Sequence, residues 1–382
     1  MEMHPSQMIS RRILSLDAFR GFTIAGMLIV NNPGSWTSVY SPLKHAEWHG
    51  FTFADTIFPF FLWILGASIP VSLFLKREQE NHHGIHSKII KRAIILFLLG
   101  IFLNGFPFGL FGPGFDAESL RIPGVLQRIA ACYAVAALII LHVQKRIQVS
   151  ATIAILILYW LVLVLVPVPG IGAGVLEKGK NLPAYIDHLL LGGHLWKYTK
   201  TWDPEGLLAT LPAIASTLIG AQAGYILVDT FLSPGKKILI FLATGTALLL
   251  SGLCLSAWMP INKSLWTSTY CLTMSGFAFI AFSFFFFFIE ICLMKRLALP
   301  CAILGVNAIT AFVLSSMIAR SLSIAMVARE QGKAMSLQEY IYHIFLLFST
   351  PKTASLFFAA GILIFIFIIA FIMWKKKITI KI

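Results

Sequence analysis

The segment "ASLFFAAGILIFIFIIAFIMW", residues 354–374, contains no charged side chain and is followed at once by "KKK". A membrane-spanning helix needs about 20 consecutive, mostly apolar residues, and this segment supplies them. Basic residues gather on the cytoplasmic side of such helices, so the three lysines indicate a cytoplasmic end. The segment therefore predicts a transmembrane helix.

Most of the remaining sequence has the same apolar character. Of its 382 residues, 58% are hydrophobic and 12% are charged, whereas about a quarter of the residues in a soluble domain are charged. Ten segments have the length and composition of a span, namely residues 17–32, 54–75, 88–105, 122–143, 148–168, 206–228, 237–259, 268–293, 298–319 and 353–374. An additional interfacial or re-entrant helix is compatible with residues 320–350. We predict an all-α, polytopic integral-membrane helical bundle of about 10–11 transmembrane helices.

The distribution of basic residues predicts that both termini are cytoplasmic. Basic residues flank the spans on this side at Arg11, Arg12, Lys76, Arg77, Lys88, Lys91, Arg92, Lys145, Arg146, Lys236, Lys237, Lys295, Arg296 and Lys375 to Lys377. The opposite side then carries a short loop, 260–267, and longer loops near 33–53, 106–121, 169–205 and 320–352. We expect one transmembrane domain over residues 1–382. No cleavable signal peptide is expected, because the first apolar run lacks a small-residue cleavage site.

Several functional classes are disfavoured by the sequence. The net charge of +14 is better explained by cytoplasmic loops that meet anionic lipids than by nucleic-acid binding. The five cysteines form no CxxC pair, so neither a zinc site nor a disulfide framework is indicated. The histidines of "NHHGIH", residues 81–86, lie in a basic connection and favour a solvated loop over a metal site. GxSxG, HExxH and P-loop motifs are absent.

Ionisable and amide side chains near the first span need a structural or functional explanation, since burying them in lipid is costly. Asp17 and Arg20 in "LSLDAFRGF" are three residues apart, on one helical face, where an ion pair can form. The pair would have a structural role if it anchors the first helix at the cytoplasmic membrane interface. Asn31 lies at the far end of the span, where asparagine is often only a helix cap.

The loop "SPLKHAEWHG", residues 41–50, contains two histidines and a tryptophan. Histidine titrates near neutrality, which makes His45 or His49 a candidate general base, although a solvated surface role is the alternative. Trp48 is explained either by anchoring at the membrane interface or by stacking on a sugar. Asp55 follows in the first turn of the second span, where a carboxylate also suits the helix dipole.

Two further polar groups precede the fourth and sixth spans. Arg121 and Arg128 in "RIPGVLQR" are two helical turns apart on one face, and Gln127 is adjacent. The arginine fork suits phosphate or carboxylate, with snorkelling to lipid headgroups as the alternative. Asp203 and Glu205 precede the sixth span, where capping of the helix would also explain them.

Five motifs together resemble one family. They are "LDAFRGFTIAGMLIVNNPGSW", "PLKHAEWHGFTFADTIFPFFLWILGASI", "RIPGVLQR", "DPEGLLATLPAIAS" and "INKSLWTSTY". In this order they are similar to the heparan-α-glucosaminide N-acetyltransferases and their bacterial relatives, a branch of the transmembrane acyltransferases. The resemblance covers nearly the whole chain. The chain is expected to be closer to the bacterial pattern, since the long lumenal region of animal members does not precede its first span.

The resemblance implies transfer of an acetyl group from acetyl-CoA to the amine of a glucosamine-type sugar or glycan on the non-cytoplasmic side. His45 matches the family's active histidine, either as general base or as acetyl carrier, and Asn31 matches its active-site asparagine. For CoA binding we assign Arg121, Gln127 and Arg128. For binding of the sugar we assign Trp48, His49, Asp203 and Glu205.

Asp17, Arg20 and Asp55 are assigned structural polar roles, and no metal is expected. The expected location is a bacterial inner membrane, and a homodimer is left open. A multi-pass transporter of N-acetylglucosamine or a related sugar is the first alternative, because about ten spans with polar groups at membrane level suit a transporter. An O-acyltransferase of a surface polysaccharide is the second.

Overall fold

The computed structural model describes residues 13–77, 84–109, 116–330 and 333–380. Its α-helices are α1 (Leu14–Asn31), α2 (Phe53–Arg77), α3 (Ile85–Gly105), α4 (Val125–His142), α5 (Lys145–Leu165), α6 (Leu182–Leu191), α7 (Thr210–Val228), α8 (Pro234–Leu255), α9 (Ser268–Phe286), α10 (Lys295–Val306), α11 (Ala308–Ile324), α12 (Leu337–Leu346) and α13 (Pro351–Lys375). A 3-10 turn (Ser41–Leu43) precedes α2, and a π-helical turn (Phe287–Ile291) continues α9. The strands β1 (Met326–Glu330) and β2 (Lys333–Ser336) form an antiparallel hairpin before α12.

The all-α, polytopic membrane bundle predicted from the sequence is confirmed. In the described ranges, eight helices are long and apolar enough to cross a membrane, and α10 with α11 adds a ninth candidate. Each of the ten predicted spans coincides with a helix or with this pair. The predicted third span coincides with α3, which has three basic residues in its first turns, Lys88, Lys91 and Arg92. The protein is therefore a multi-pass membrane protein.

The ninth predicted span differs from the expectation, because it is not one continuous helix. It is broken at Asn307, where α10 and α11 meet at an angle of 69°. The Asn307 side chain donates to the carbonyl of Ile378 at 3.2 Å and accepts from the amide of Ile380 at 3.0 Å. Asn307 thus binds the segment after α13, rather than acting as the interhelical contact expected of an asparagine within a span. The additional helix expected within 320–350 is present as α12.

Glycines allow two pairs of helices to approach closely. A Cβ atom added to Gly21 of α1 would lie 1.6 Å from the carbonyl oxygen of Cys301 in α10. In the same way, a Cβ atom on Gly66 of α2 would lie 1.9 Å from the carbonyl oxygen of Thr217 in α7. Small residues at such crossings let helix backbones touch in a membrane, where packing replaces the hydrophobic effect. The contact at Gly66 therefore holds the middle of α2 tightly against α7.

Four of the five loops predicted to share one side of the membrane contact one another at one end of the bundle. Trp48 donates its indole N–H to the carbonyl of Leu176 at 2.8 Å, and Asn262 donates to the carbonyl of Trp48 at 2.9 Å. Arg121 reaches Asp203 across the same end. The candidate site residues of these loops are therefore brought together by the fold.

Two groups of residues from the sequence analysis need separate mention. Arg11, Arg12, His82 and His83 lie outside the described residues. His86, the last histidine of "NHHGIH", is in the first turn of α3, and its Nε2 lies 2.7 Å from Nε2 of His142 at the end of α4.

Candidate active site

His45 is held by a buried carboxylate at the start of α2. Its Nδ1 lies 2.7 Å from Oδ1 of Asp55. The second oxygen of Asp55 accepts hydrogen bonds from the backbone amides of Ala46 and Thr52, each at 3.0 Å. Because Asp55 accepts from Nδ1, a neutral His45 ring has its free lone pair on Nε2. The His45 side chain is 41% exposed whereas that of Asp55 is 1% exposed, so the imidazole remains open to a substrate.

Lys263 joins this pair and was not selected from the sequence. Its Nζ lies 3.3 Å from Oδ1 of Asp55, 3.1 Å from Nδ1 of His45 and 3.5 Å from its Nε2. Burial lowers the pKa of Lys263 from its usual value, although the carboxylates of Asp55 and Glu205 act in the opposite direction. The signal in the sequence was a single cation in the polar loop "PINKSLW", but nothing local links it to a residue more than 200 positions earlier.

The backbone around Lys263 is fixed by its neighbours. Asn262 is fully buried. Its side chain accepts from the amide of Leu265 at 2.9 Å and donates to the carbonyl of Trp48 at 2.9 Å. Trp266 is also fully buried and has a φ angle of 49°, a left-handed conformation that bulky residues rarely adopt. This turn holds Lys263 against the loop that carries His45.

Arg121, Asp203 and Glu205 form one ion-pair network. Arg121 donates through Nε to Asp203 at 2.7 Å and through Nη2 to Asp203 and Glu205, each at 2.5 Å. Burial alone would lower the pKa of Arg121, but the two carboxylates raise it above its usual value. Burial alone would likewise raise the pKa of Glu205, and Arg121 lowers it. Arg121 was predicted to bind CoA and the two carboxylates to bind the sugar, whereas the fold joins them to each other.

Arg128 has donors that the described part of the chain does not use. It is 2% exposed, its Nη2 donates to the carbonyl of Gly206 at 3.2 Å, and its guanidinium lies 5.1 Å from the centre of the Trp266 ring. Its Nε and Nη1, and Nε2 of the neighbouring Gln127, lack hydrogen-bond partners among the described residues. Buried donors without acceptors are costly. A ligand carbonyl or phosphate at Arg128 would satisfy them.

Trp48 and His49 border the site on the loop side. The Trp48 ring packs edge-on against Trp202, with ring centres 5.3 Å apart. His49 is exposed, and its Nδ1 lies 3.4 Å from the amide nitrogen of Asn262. These residues give the rim of the site aromatic and hydrogen-bonding surfaces next to His45.

The structure does not bring Asn31 to the His45 nitrogens. Asn31 is the last residue of α1, its side chain is exposed, and it makes no hydrogen bond within the described ranges. The neighbouring Asn32 is buried and donates to the carbonyl of Leu28 at 2.7 Å, as a helix-end asparagine does. The contacts of the His45 ring are Asp55 and Lys263 instead.

A cavity of about 750 Å³ lies toward the other end of α2. Its lining includes Arg20, Lys88, Lys91 and Arg92, together with apolar side chains of α1, α2, α3 and α4. The predicted ion pair is present there, with Arg20 2.8 Å from Asp17, and Arg20 also donates to Ser68 at 2.6 Å. Ser68 lies about 20 Å along α2 from Asp55, at about 1.5 Å per residue. The cationic cavity and His45 are therefore well separated along the bundle.

Comparison with known proteins identifies the relatives of this chain. Residues 12–168 match a family described as a domain of unknown function, DUF5009. A heparan-alpha-glucosaminide N-acetyltransferase from Homo sapiens is 31% identical over 320 residues, which is 70% of this chain and 47% of that protein. The protein of the same name from Mus musculus is 30% identical over 322 residues, 71% of this chain and 48% of its own length.

The chain thus spans about half the length of these curated relatives. Nevertheless, the matching part covers most of the present sequence, as the five motifs predict. We conclude that the chain belongs to the heparan-α-glucosaminide N-acetyltransferase family.

Proposed function

We propose that this protein is a membrane-embedded acetyltransferase that transfers the acetyl group of acetyl-CoA to the amine of a glucosamine-type sugar or glycan. The observation that carries the proposal is the accessible His45 ring, whose Nδ1 is held 2.7 Å from the buried carboxylate of Asp55. Family membership supplies the reaction class, since the two relatives are named as N-acetyltransferases of a glucosaminide.

His45 is proposed as the general base. The amine must lose a proton as its nitrogen bonds to the thioester carbon, and Nε2 of a neutral imidazole can accept that proton. Asp55 fixes the tautomer and stabilises the imidazolium that forms, as the carboxylate of a catalytic triad does. In the alternative route, Nε2 carries the acetyl group before the amine receives it.

The donor is proposed to enter the cationic cavity. Phosphate groups of CoA would be held by Arg20, Lys88, Lys91 and Arg92, and the volume of about 750 Å³ is within the usual range for ligand sites. The thioester arm would then run along α2 toward His45. Arg128, with two buried donors available, is a better candidate for a carbonyl of this arm than Arg121, whose fork is occupied by carboxylates.

The sugar is proposed to bind at the opposite end, against Trp48, His49 and the carboxylates of Asp203 and Glu205. Aromatic faces can stack on a sugar ring, and carboxylates attract its ammonium group. This arrangement fits the topology predicted from the basic residues, with both termini in the cytoplasm and the sugar on the other side of a bacterial inner membrane.

The decisive experiment measures N-acetylated product from purified, detergent-solubilised protein supplied with acetyl-CoA and glucosamine. The His45→Ala variant should lose activity by about 10²- to 10⁴-fold, the usual contribution of a general base. His188→Ala is the matched control, because His188 is an exposed histidine of α6. Absence of product with every amino sugar and glycan tested would reject the enzyme, and equal rates for wild type and His45→Ala would remove His45 from the mechanism.

The broken α10–α11 pair favours one second candidate, a transporter of N-acetylglucosamine or a related sugar, because interrupted helices are common in transporters. A transporter would move the sugar into vesicles without consuming acetyl-CoA. The same product assay also separates N-acetylation from O-acetylation of a polysaccharide, since the two products differ in the position of the acetyl group.

A further inference from the structure

We infer that Lys263 is a catalytic residue that stabilises the negative charge on the thioester oxygen during acetyl transfer at His45. This inference rests on the proposed function and gives a role to Lys263, which lies in the motif "INKSLWTSTY" but received none from the sequence. Besides His45, the residue that the family resemblance placed in the active site was Asn31. Three observations carry the inference: the position of the ammonium group, its unused donors and the rigid support of its loop.

The position of Nζ suits an interaction with the reacting oxygen. Because Nδ1 of His45 donates to Asp55, it has no lone pair for Lys263, and the 3.1 Å contact between them is not a hydrogen bond. Nζ lies 3.5 Å from Nε2, the atom that accepts the proton of the attacking amine. A carbonyl oxygen can therefore lie about 3 Å from Nζ while the amine bound to the same carbon contacts Nε2, which is the geometry required of such a donor.

The Lys263 ammonium has more hydrogen-bond donors than acceptors among the described residues. Within the described ranges its only acceptor is Oδ1 of Asp55, at 3.3 Å. An ammonium has three donors, so the others can point toward a ligand. The Lys263 side chain is 23% exposed, which leaves it reachable from the site. The negative charge of Asp55 balances the positive charge of Lys263. Together with a neutral His45 imidazole, the three groups therefore carry no net charge.

The loop of Lys263 is held in place before any substrate binds. Asn262 donates to the carbonyl of Trp48 at 2.9 Å, and the amide of Gly50 donates to the carbonyl of Ile261 at 2.8 Å. The left-handed Trp266 completes the turn. A donor that is already in position when charge develops stabilises a transition state more than one that must reorganise. Asn31, by contrast, is exposed at the end of α1 and has no such support.

The proposed step is balanced as follows. The amine nitrogen forms a bond to the thioester carbon while its proton passes to Nε2 of His45. The π electrons of the carbonyl move to the oxygen, where the Lys263 ammonium donates to the oxyanion. When the carbonyl reforms, the carbon–sulfur bond breaks, and the thiolate of CoA takes the proton from His45. The products are the N-acetylated sugar and free CoA thiol.

The test combines turnover with the binding of two CoA thioethers. The trifluoro-oxopropyl thioether of CoA hydrates to a tetrahedral centre that resembles the intermediate, whereas the propyl thioether has no such oxygen. In Lys263→Met, kcat should fall by about 10²- to 10³-fold, as for the loss of one oxyanion donor. The preference for the tetrahedral ligand over the propyl thioether should fall by at least about 10-fold, with affinity for the propyl thioether unchanged. Lys263→Arg, which keeps a cation, should fall between wild type and Lys263→Met.

Lys180→Met is the matched control, because Lys180 is an exposed lysine that forms an ion pair with the exposed Glu177. It should behave as wild type in both measurements. If Lys263→Met loses affinity for both thioethers equally, or keeps wild-type kcat, the inference is overturned while the proposed function stands. Wild-type protein that forms no N-acetylated product would instead contradict the proposed function, and the inference with it.

Discussion

At the scale of single residues, the site is organised by buried carboxylates. The Asp55 carboxylate accepts hydrogen bonds from His45 and two backbone amides and forms an ion pair with the Lys263 ammonium. One side chain therefore positions both the imidazole and the neighbouring cation. Asp187 has a similar position in α6, where its two oxygens accept from the backbone amides of Leu207 at 2.9 Å and Asp203 at 3.4 Å. Asp187 therefore holds the segment that carries the partners of Arg121.

Asp187 gives a pH-dependent prediction. Burial raises the pKa of Asp187 from 3.8 to about 6 in the folded protein. The folded state thus binds more protons than the unfolded state between these values, so this contribution to stability is complete below about pH 4 and is lost as pH rises through about 6. Its size is about 3 kcal/mol, since one pKa unit corresponds to about 1.4 kcal/mol. Thermal unfolding in detergent should therefore show a smaller fall in Tm from about pH 4.5 to 7.5 for Asp187→Asn than for wild type. Parallel curves for the two proteins would exclude Asp187 as the source.

The sequence predicted part of this arrangement. His45 and Asp55 were singled out because their motif is distinctive, and the spacing of Asp17 and Arg20 correctly predicted an ion pair. Lys263 was missed because a lone lysine in a loop is normally solvated, and only the tertiary fold places it beside His45. The Arg121 network was missed for the same reason, since its members are separated by about 80 residues of chain.

At the scale of helices, length and apolar composition located ten segments that coincide with helices or with the α10–α11 pair, because a lipid environment demands a long apolar segment for each crossing. The break at Asn307 was not predicted, since the sequence around it remains apolar and the hydrogen bonds of Asn307 to the distant segment after α13 are evident only in the fold. Close helix crossings were partly predictable. A small residue such as Gly21 permits close contact between helices, but its partner helix α10 is evident only in the fold.

The α2–α7 crossing provides the prediction at this scale. In Gly66→Ala, the new Cβ atom would overlap the backbone carbonyl of Thr217, which a side-chain rotation cannot relieve. The helices must separate, and we expect a loss of stability of about 1–3 kcal/mol, the usual cost of overpacking. A lower Tm in detergent would measure it. Gly361→Ala in α13 is the matched control, because no heavy atom lies within 4 Å of its added Cβ. Equal Tm values for the two variants would contradict the close packing at Gly66.

At the scale of the whole molecule, the proposed function depends on two regions that lie along α2. Three of the basic residues that predicted the cytoplasmic side from the sequence, Lys88, Lys91 and Arg92, also line the cavity of about 750 Å³. The loops predicted for the other side assemble the site around His45. Charge distribution alone indicated which residues share a side. It did not reveal the cavity, because a cavity depends on how α1, α2, α3 and α4 pack against one another.

This separation predicts that the two ends contribute to different kinetic constants. Replacing Lys91 and Arg92 together by glutamine removes two cations from the cavity lining. If these cations hold the phosphates of CoA, KM for acetyl-CoA should rise by about 10-fold or more, since each charge-assisted hydrogen bond contributes about 1.5–3 kcal/mol. KM for S-acetylpantetheine, which has the thioester arm but no phosphates, should not change. The value of kcat should be preserved for both donors, because the described contacts of the His45 ring are with Asp55 and Lys263 and not with these residues.

The comparison of the two donors makes this prediction specific, because a general disturbance of the fold would weaken both. Lys295→Gln is a suitable control, since Lys295 is an exposed basic residue at the start of α10 that does not line the cavity. A rise in salt concentration should raise KM for acetyl-CoA in wild type more than in the Lys91→Gln/Arg92→Gln variant, because screening weakens only charges that are present. Equal KM values for acetyl-CoA in wild type and this variant would show that the cavity does not bind the phosphates. They would also contradict the proposed route of the thioester arm.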